Sequence, residues 1–346
     1  DLVMASAAHP AQTALRLEQL VRAAVAEEEF ELRQQTFQER GVSLDLALEQ
    51  GRPSRVLTVG SPDPRFLALS NALAAAGAET VGAFTAYTAF DYLHERAFDA
   101  VVLWGGEDQA EALSIAAGMR RNTRLYHVPT ILYVRSHDEL NLSEVFNKGV
   151  ADIAAPDAPE AETARQALTL AAAYRRHADV RSALERARAS GLMDGTTGLF
   201  TRDLFATHLA RIAQAARTRR RPLSVCVLRV AERPEIGLAR RDGWLDRAMP
   251  QIGGMISRLV RAEDTAARLA PEVFALALPA TPLDTARLVG ERIGAVIGCT
   301  AFDAGEGRSP FVTEFDIGVA EVQPNESPVA ALERAAEHSF TQSKSA

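Results

Sequence analysis

An arginine followed three residues later by an aspartate occurs four times in this chain, at Arg96–Asp99, Arg135–Asp138, Arg176–Asp179 and Arg261–Asp264. Such a pair can do two kinds of chemistry. It can close on itself as a surface ion pair, worth well under ~1 kcal/mol. It can also present a forked cation beside an acceptor-only carboxylate to a third molecule with matching groups. Spacing alone does not choose among the four copies. Other charges follow the same stretch of chain: Arg229, Asp246, Glu272 and Arg292. Asp246 reads first as a helix-surface charge; Glu272 has the oxygens to hold a divalent cation, whereas Arg229 is a permanent cation and opposes one. Arg217 with Arg219, Arg220 and Arg221 makes a local basic cluster that a small anion could use.

The whole chain bounds these options. Its formal net charge is −7 over 346 residues, so no global positive field draws in a nucleic-acid duplex. An apolar share of 47% and a charged share of 24% permit large cores in two or three domains. No apolar run approaches the ~18 to 20 residues of a membrane span. The opening DLVMASAAHP lacks the charged-then-apolar order of a secretory leader, and a start at Asp1 without Met leads us to expect sequence upstream. Cys226 and Cys299 show no metal spacing; two core thiols in a reduced, cytoplasmic compartment are expected.

These residues are positioned by two α/β regions. Residues 11–40 read as a long polar helix with Leu15, Leu17, Leu20, Val21 and Val25 as its apolar stripe, and with Glu27 to Glu29, Arg33 and Arg40 as its charged remainder. Gly41, Gly51 and Pro53 mark a boundary. Five apolar runs separated by helices then follow (55–60, ETVGAF, 98–105, 128–135 and 151–155), as in a doubly wound parallel sheet. Pro159 to about Ser190 is helical, rich in Ala, Arg, Glu and Leu, and reads as a stalk, with a coiled coil or a solvated linker helix both open. After Gly191 come the strand LSVCVLRV, a helix over 244–260, two strands joined tightly at Ala270 and Pro271, a helix, a strand and a last helix. That order predicts an α+β unit with a mixed or antiparallel sheet.

Residues 53–157 resemble a response-regulator receiver domain in element order and loop register. The resemblance implies a phospho-acceptor aspartate, two metal-holding acids, a hydroxyl and a lysine. The matching positions carry Trp104, Gly60 with Ser61, Val134, and Ala155 ahead of Pro156. Every partner of the phosphoryl chemistry is replaced, leaving Asp63 alone, and the expectation is a pseudo-receiver serving as a docking or dimerisation surface. The helix HPAQTALRLEQLVR is similar to the closing helix of a further receiver.

Residues 191–346 resemble the diguanylate cyclase (GGDEF) family. The opening DGTTGLFTR, the register from Leu228 to Phe274, the Glu291-Arg292-Ile293 run, FVTEFDIGVA and Lys344 carry the likeness. Such a cyclase uses two metal ions. Arg229 stands where the family has a metal-binding aspartate, and Ala270-Pro271 replaces a glycine pair that lets backbone approach phosphate. Glu272 matches a metal-binding acid, Gly237 stands where the family has its guanine-reading asparagine, and Asp246 matches that asparagine's companion acid. The resemblance therefore implies a degenerate domain without catalysis. It also implies a ligand: in the family an R-x-x-D at the spacing of Arg261–Asp264 forms an inhibitory site for cyclic di-GMP, joined by an arginine matching Arg292. Arg217 could screen the ligand's phosphates. The chemistry fits, because arginine forks onto guanine O6 and N7 and a carboxylate accepts from guanine N–H groups.

The expected architecture is thus a flavodoxin-like doubly wound pseudo-receiver joined by a long helix to an α+β, nucleotide-cyclase-like GGDEF domain. The segments are 1–50 (closing helix of a preceding receiver-like domain plus linker), 53–157, the linker helix 158–190, and 191–346. By resemblance to regulators of the alphaproteobacterial cell cycle, the expected role is a homodimeric, ligand-gated adaptor. Such an adaptor is recruited to a cell pole and helps deliver a protein to a protease. Two rivals stay open: a weak cyclase or GTP-binding regulatory domain resting on Asp246, Glu272 and Lys344, and a ligand-free scaffold.

Overall fold

A computed structural model describes residues 10–44, 52–106, 109–122, 124–135, 141–154, 158–187, 190–305 and 308–343. Asp138, Ala155, Pro156 and Lys344, named above, lie outside the described residues. The chain divides into two compact units, one of residues 1–23 and 47–179, the other of residues 24–46 and 180–346. Two long helices, α1 (Pro10–Gln38) and α6 (Glu160–Ala187), begin in the first unit and end in the second.

In the first unit β1 (Arg55–Val59), β2 (Glu79–Ala83), β3 (Ala100–Gly106), β4 (Thr130–Val134) and β5 (Asp152–Ala154) form a wholly parallel sheet in the order β2-β1-β3-β4-β5. The sheet is covered on both faces, so successive residues serve opposite cores. Leu57, Leu103 and Leu132 pack with α3 (Ala86–Glu95) and α4 (Ala110–Arg121), while Val56, Val102 and Ile131 pack with α2 (Pro64–Ala75) and the start of α6. This is why the strands read as unbroken apolar runs rather than alternating ones. Thr85 caps α3 by accepting from the Thr88 N–H, and Asn141 caps α5 (Leu142–Asn147) in the same way.

The second unit carries β6 (Phe200–Thr201), β7 (Leu223–Val230), β8 (Thr265–Ala270), β9 (Val273–Pro279) and β10 (Phe315–Glu321) in the order β10-β7-β9-β8-β6. The β6–β8 pair is parallel and the others antiparallel, so the sheet is mixed. Cys226, Leu228, Phe274 and Leu276 pack under α9 (Trp244–Leu259) and α10 (Leu283–Gly298). Val225, Val227, Ala275 and Ala277 pack under α7 (Arg202–Arg219) and α11 (Pro328–Ser343). Gly253 of α9 lies so close to Thr197 that a Cβ would stand 2.6 Å from the Thr197 carbonyl oxygen, which fixes that helix against the opening loop.

Two expectations are corrected here. Leu17, Leu20 and Val21 of the apolar stripe of α1 are 51%, 47% and 54% exposed, whereas Glu29 and Arg33, of its charged remainder, are 2% and 3% exposed. Helical periodicity locates faces but not what they meet: from Ala24 onward α1 belongs to the second unit, where Phe37 and Leu44 join a core with Phe200 and Leu204. Of the two expected core thiols, Cys226 is buried and Cys299, the residue that ends α10, is exposed.

Candidate functional site: the Arg261–Asp264 turn and the 270–273 hairpin

The turn between α9 and β8 is closed by its own acid. The Arg261 N–H donates to Asp264 Oδ2 at 2.9 Å, and the Asp264 N–H donates to the Arg261 carbonyl at 3.3 Å. A short acidic side chain that bonds its own turn is a common way to fix such a bend. Asp264 is 4% exposed. Its Oδ1 is buried and, among the described residues, meets no hydrogen-bond donor. Burial pushes the Asp264 carboxyl above the usual carboxylate range, opposed by the Arg261 N–H and by the charges of Arg261, Arg33 and Arg292. An unmet acceptor at that depth costs about 1 to 3 kcal/mol.

The structure brings three of the sequence candidates together. Arg261 is half-buried on the turn, where an outward-facing side chain is the simpler expectation for a loop. Arg292, from α10, donates through Nη2 to the Leu259 carbonyl at 3.1 Å, just before the turn. Arg217 is placed elsewhere: it is exposed in the last turn of α7, with its guanidinium on the Glu326 carbonyl. Arg33 joins the group from α1, donating to the Asp264 carbonyl at 2.7 Å and to Thr265 Oγ1 at 3.0 Å.

The β8–β9 hairpin turns through Pro271 and Glu272, braced by Arg268, whose Nη2 donates to the Pro271 carbonyl at 2.8 Å. Asp194 holds the opening loop by accepting from the Thr197 N–H at 2.8 Å and hydroxyl at 2.6 Å. Its burial works against ionisation, yet the Thr197 bonds and the Arg268 charge bring its pKa below the ordinary value. Around this hairpin the charges are matched internally. Arg229 donates to Asp316 at 2.7 Å across the β7–β10 pair. Arg240, from α8 (Pro234–Arg241), forks onto both oxygens of Glu272 at 2.6 and 2.5 Å and also reaches Glu232. Arg233 pairs with Glu314 at 2.8 Å. Asp246 is exposed in the first turn of α9, and Gly237 is half-buried in α8.

The two metal ions of the family chemistry do not fit this donor set. One ligand position carries a guanidinium, and the surviving acid Glu272 is held in a bidentate fork by another. Among the described residues no three His, Cys, Asp or Glu side chains gather as a cation site.

In the first unit a cleft of about 400 Å³ opens at the carboxyl ends of β1, β3 and β4. Trp104 fills its floor at 7% exposure, stacked on Phe66 at 6.0 Å, and the Arg135 guanidinium sits 5.8 Å from its ring centre. Gly60 has φ +146°, and a Cβ there would stand 2.5 Å from the Trp104 Cβ. Any side chain at position 60 would therefore collide with the first carbon of the residue at position 104. Asp63 accepts from the Arg65 N–H at 2.9 Å as the cap of α2 and pairs with Arg135, whose hydrogen bond holds its pKa low.

Sequence reasoning missed Arg33 and Arg240. Arg240 lies in the helix PEIGLARR, which breaks no pattern but has too few apolar residues to stand out. Arg33 is separated from Asp264 by 231 positions, and only its i,i+4 spacing from Glu29 hinted at a paired face.

Residues 191–346 match the family described as diguanylate cyclase, GGDEF domain. The response regulator PleD of Caulobacter vibrioides is 24% identical over 242 residues, which cover 69% of this chain and 53% of PleD. The chain thus spans about half the length of the curated relatives it matches. Among solved structures, the GGDEF domain of DgcB from Caulobacter crescentus in complex with c-di-GMP aligns at 22% identity and TM-score 0.42, covering 45% of this chain and 89% of that one. The FimX GGDEF domain from Pseudomonas aeruginosa aligns at 21% identity and TM-score 0.41, covering 45% and 95%.

Proposed function

We propose that this chain is a receptor for cyclic di-GMP built on a GGDEF domain that no longer makes it, and that the first unit is a flavodoxin-like pseudo-receiver. The observation that carries the reading is the Asp264 carboxylate. One oxygen closes the turn, the other has no donor among the described residues, and three arginines face it. A guanine edge supplies what is lacking, N–H donors for Oδ1, and offers O6 and N7 to a guanidinium. At the hairpin the opposite holds, since Arg240 neutralises Glu272, the acid that a cyclase would present to metal, and Arg229, standing in place of a second, is paired with Asp316. In the first unit Trp104 stands in place of a phosphate acceptor and Arg135 is engaged by Asp63.

The wider role follows from resemblance to the effector PopA: a homodimeric adaptor of cell-cycle control, recruited to a cell pole, whose ligand gates delivery of a protein to a protease. Its receptor part is tested by titrating cyclic di-GMP calorimetrically and by incubating the protein with GTP and Mg²⁺. Saturable binding without turnover is expected. Synthesis of cyclic di-GMP abolished by Glu272→Ala overturns the reading, as does silence in the titration.

A further inference from the structure

A set of buried polar groups in the second unit lies where α1 packs on the domain, and only Arg33 and Thr265 of it touch the turn already described. Glu29, Arg33, Thr36, His208 and Thr265 are each at most 3% exposed. Glu29 Oε1 lies 2.7 Å from His208 Nε2, accepts from the Thr265 hydroxyl at 2.9 Å, and sits 3.3 Å from Arg33 Nε. The Thr36 hydroxyl donates to the Leu32 carbonyl at 2.8 Å, so its oxygen is the acceptor toward His208 Nδ1 at 3.0 Å. Phe37 seals the end of this set, edge-on to Phe200 at 5.5 Å. Burial alone would drive the Glu29 carboxyl up, but His208, Arg33 and Thr265 reverse this and hold it below its ordinary value.

Such a network is costly when half made, because every group left behind is buried without a partner. Docking of residues 24–44 is therefore close to all-or-none. The network also ends on one place: Arg33 grips the backbone carbonyl of Asp264 and the side chain of the next residue, Thr265. We propose that residues 24–44 are a clamp on the ligand turn, with Arg33 as a positioning residue for cyclic di-GMP. Helix docking and occupancy of the Arg261–Asp264 site then reinforce each other. This rests on the receptor reading for the ligand, but not for the clamp itself.

The sign has two causes. Arg33 fixes the backbone from which the Asp264 carboxylate projects, so the acceptor is ordered before the ligand arrives, and less ordering remains to be done on binding. Its charge, with those of Arg261 on the turn and Arg292 from α10, favours the ionised, acceptor form of Asp264. Glu29 and His208 lie behind Thr265 as the remaining titratable groups of the set. Linkage is reciprocal: if docking tightens the ligand, the ligand tightens docking by the same factor.

The test uses the full chain and two readouts, with Arg33→Ala, Arg33→Lys and Thr265→Val as variants. Arg40→Ala is the control, since Arg40 is exposed and its side chain donates to the Thr207 hydroxyl at 3.1 Å, away from the turn. In hydrogen exchange on the ligand-free protein, Arg33→Ala should speed exchange over 260–266 together with 24–44, and Thr265→Val should do the same if the alanine variant fails to fold. In titration with cyclic di-GMP, Arg33→Ala should lose roughly tenfold or more in affinity, with its acid limb moved to higher pH. Arg33→Lys should recover part of both, Arg40→Ala should match the parent, and ligand should slow exchange over 24–44. Faster exchange over 24–44 with 260–266 unchanged overturns the clamp. A parent chain that binds no cyclic di-GMP defeats the receptor reading and Arg33's role toward that ligand, while the exchange result still decides the clamp.

Discussion

The two ends of strand β8 handle charge in opposite ways. At the hairpin end, Glu272 is forked by Arg240 while Arg229 answers Asp316, so each of these charges has an opposite partner. At the turn end, an aspartate is buried among arginines and, among the described residues, keeps one oxygen without a donor. A site that has exchanged function for structure is expected to satisfy itself, because each unmet charge is a standing cost once no ligand comes to meet it. A site that still binds something keeps an unmet group and bears that cost in the empty state. The contrast, between Asp264 and Glu272, spans eight positions at the two ends of one strand, within one fold and one solvent, so it reflects the residues and not their surroundings at large.

The largest expected effect is at the turn. Arg261→Ala should remove a bidentate guanine contact worth about 1 to 3 kcal/mol, at the upper end because the same guanidinium can stack as well as fork. Calorimetric titration should register a loss near a hundredfold. Identical affinity in parent and variant would erase the contrast between the two ends. The matching changes Arg96→Ala, Arg135→Ala and Arg176→Ala should leave affinity unaltered.

Asp264 sharpens the same comparison through pH. Its carboxyl is raised by burial, so its ionisation destabilises the empty fold: the stability it contributes is present below the ordinary aspartate pKa and lost as pH rises through the raised value. Ligand donors recover that loss only when the group is ionised. Affinity should therefore be full at neutral pH and decline on acidification, beginning above the ~3.9 of an ordinary aspartate. Asp264→Asn should bind weakly and show a flat profile over the same range. An acid limb that persists in the asparagine variant would assign it to another group.

Smaller effects follow. Arg292→Ala should weaken binding by less than Arg261→Ala, since part of its guanidinium is already spent on the Leu259 carbonyl. Arg240→Ala at the hairpin should change thermal stability by no more than about 1 kcal/mol, the range of exposed ion pairs, and leave cyclic di-GMP affinity alone. Turnover of GTP in the Arg240 variant would mean that the ion pair masks a working site.

Much of this was legible in the residues. The five apolar runs of the first unit declared a parallel sheet because strands covered on both faces cannot alternate, and Ala270-Pro271 marked the hairpin turn. The neighbourhood of Arg261, Asp264 and Arg292 was implied by the resemblance to the GGDEF family, since spacing alone did not choose among the four Arg-x-x-Asp copies. What sequence could not supply were pairings between distant elements. Glu29 and Arg33 looked like any charged helix face, because charge pattern reports the type of a surface and not the partner that covers it. Arg217 failed as a neighbour for a related reason: a basic cluster at a helix end has several local carbonyls to bond, and the Glu326 carbonyl takes it.

One feature of the fold has a practical use. Burial raises the Cys226 thiol to about 12, while Cys299 stands exposed at the end of α10, the helix that carries Arg292. Only the thiolate reacts with alkylating reagents at useful rates, so at neutral pH a maleimide dye should attach at Cys299 alone. The chain thus comes with one natural labelling position, on an element that borders the ligand turn, and needs no cysteine added or removed for fluorescence work.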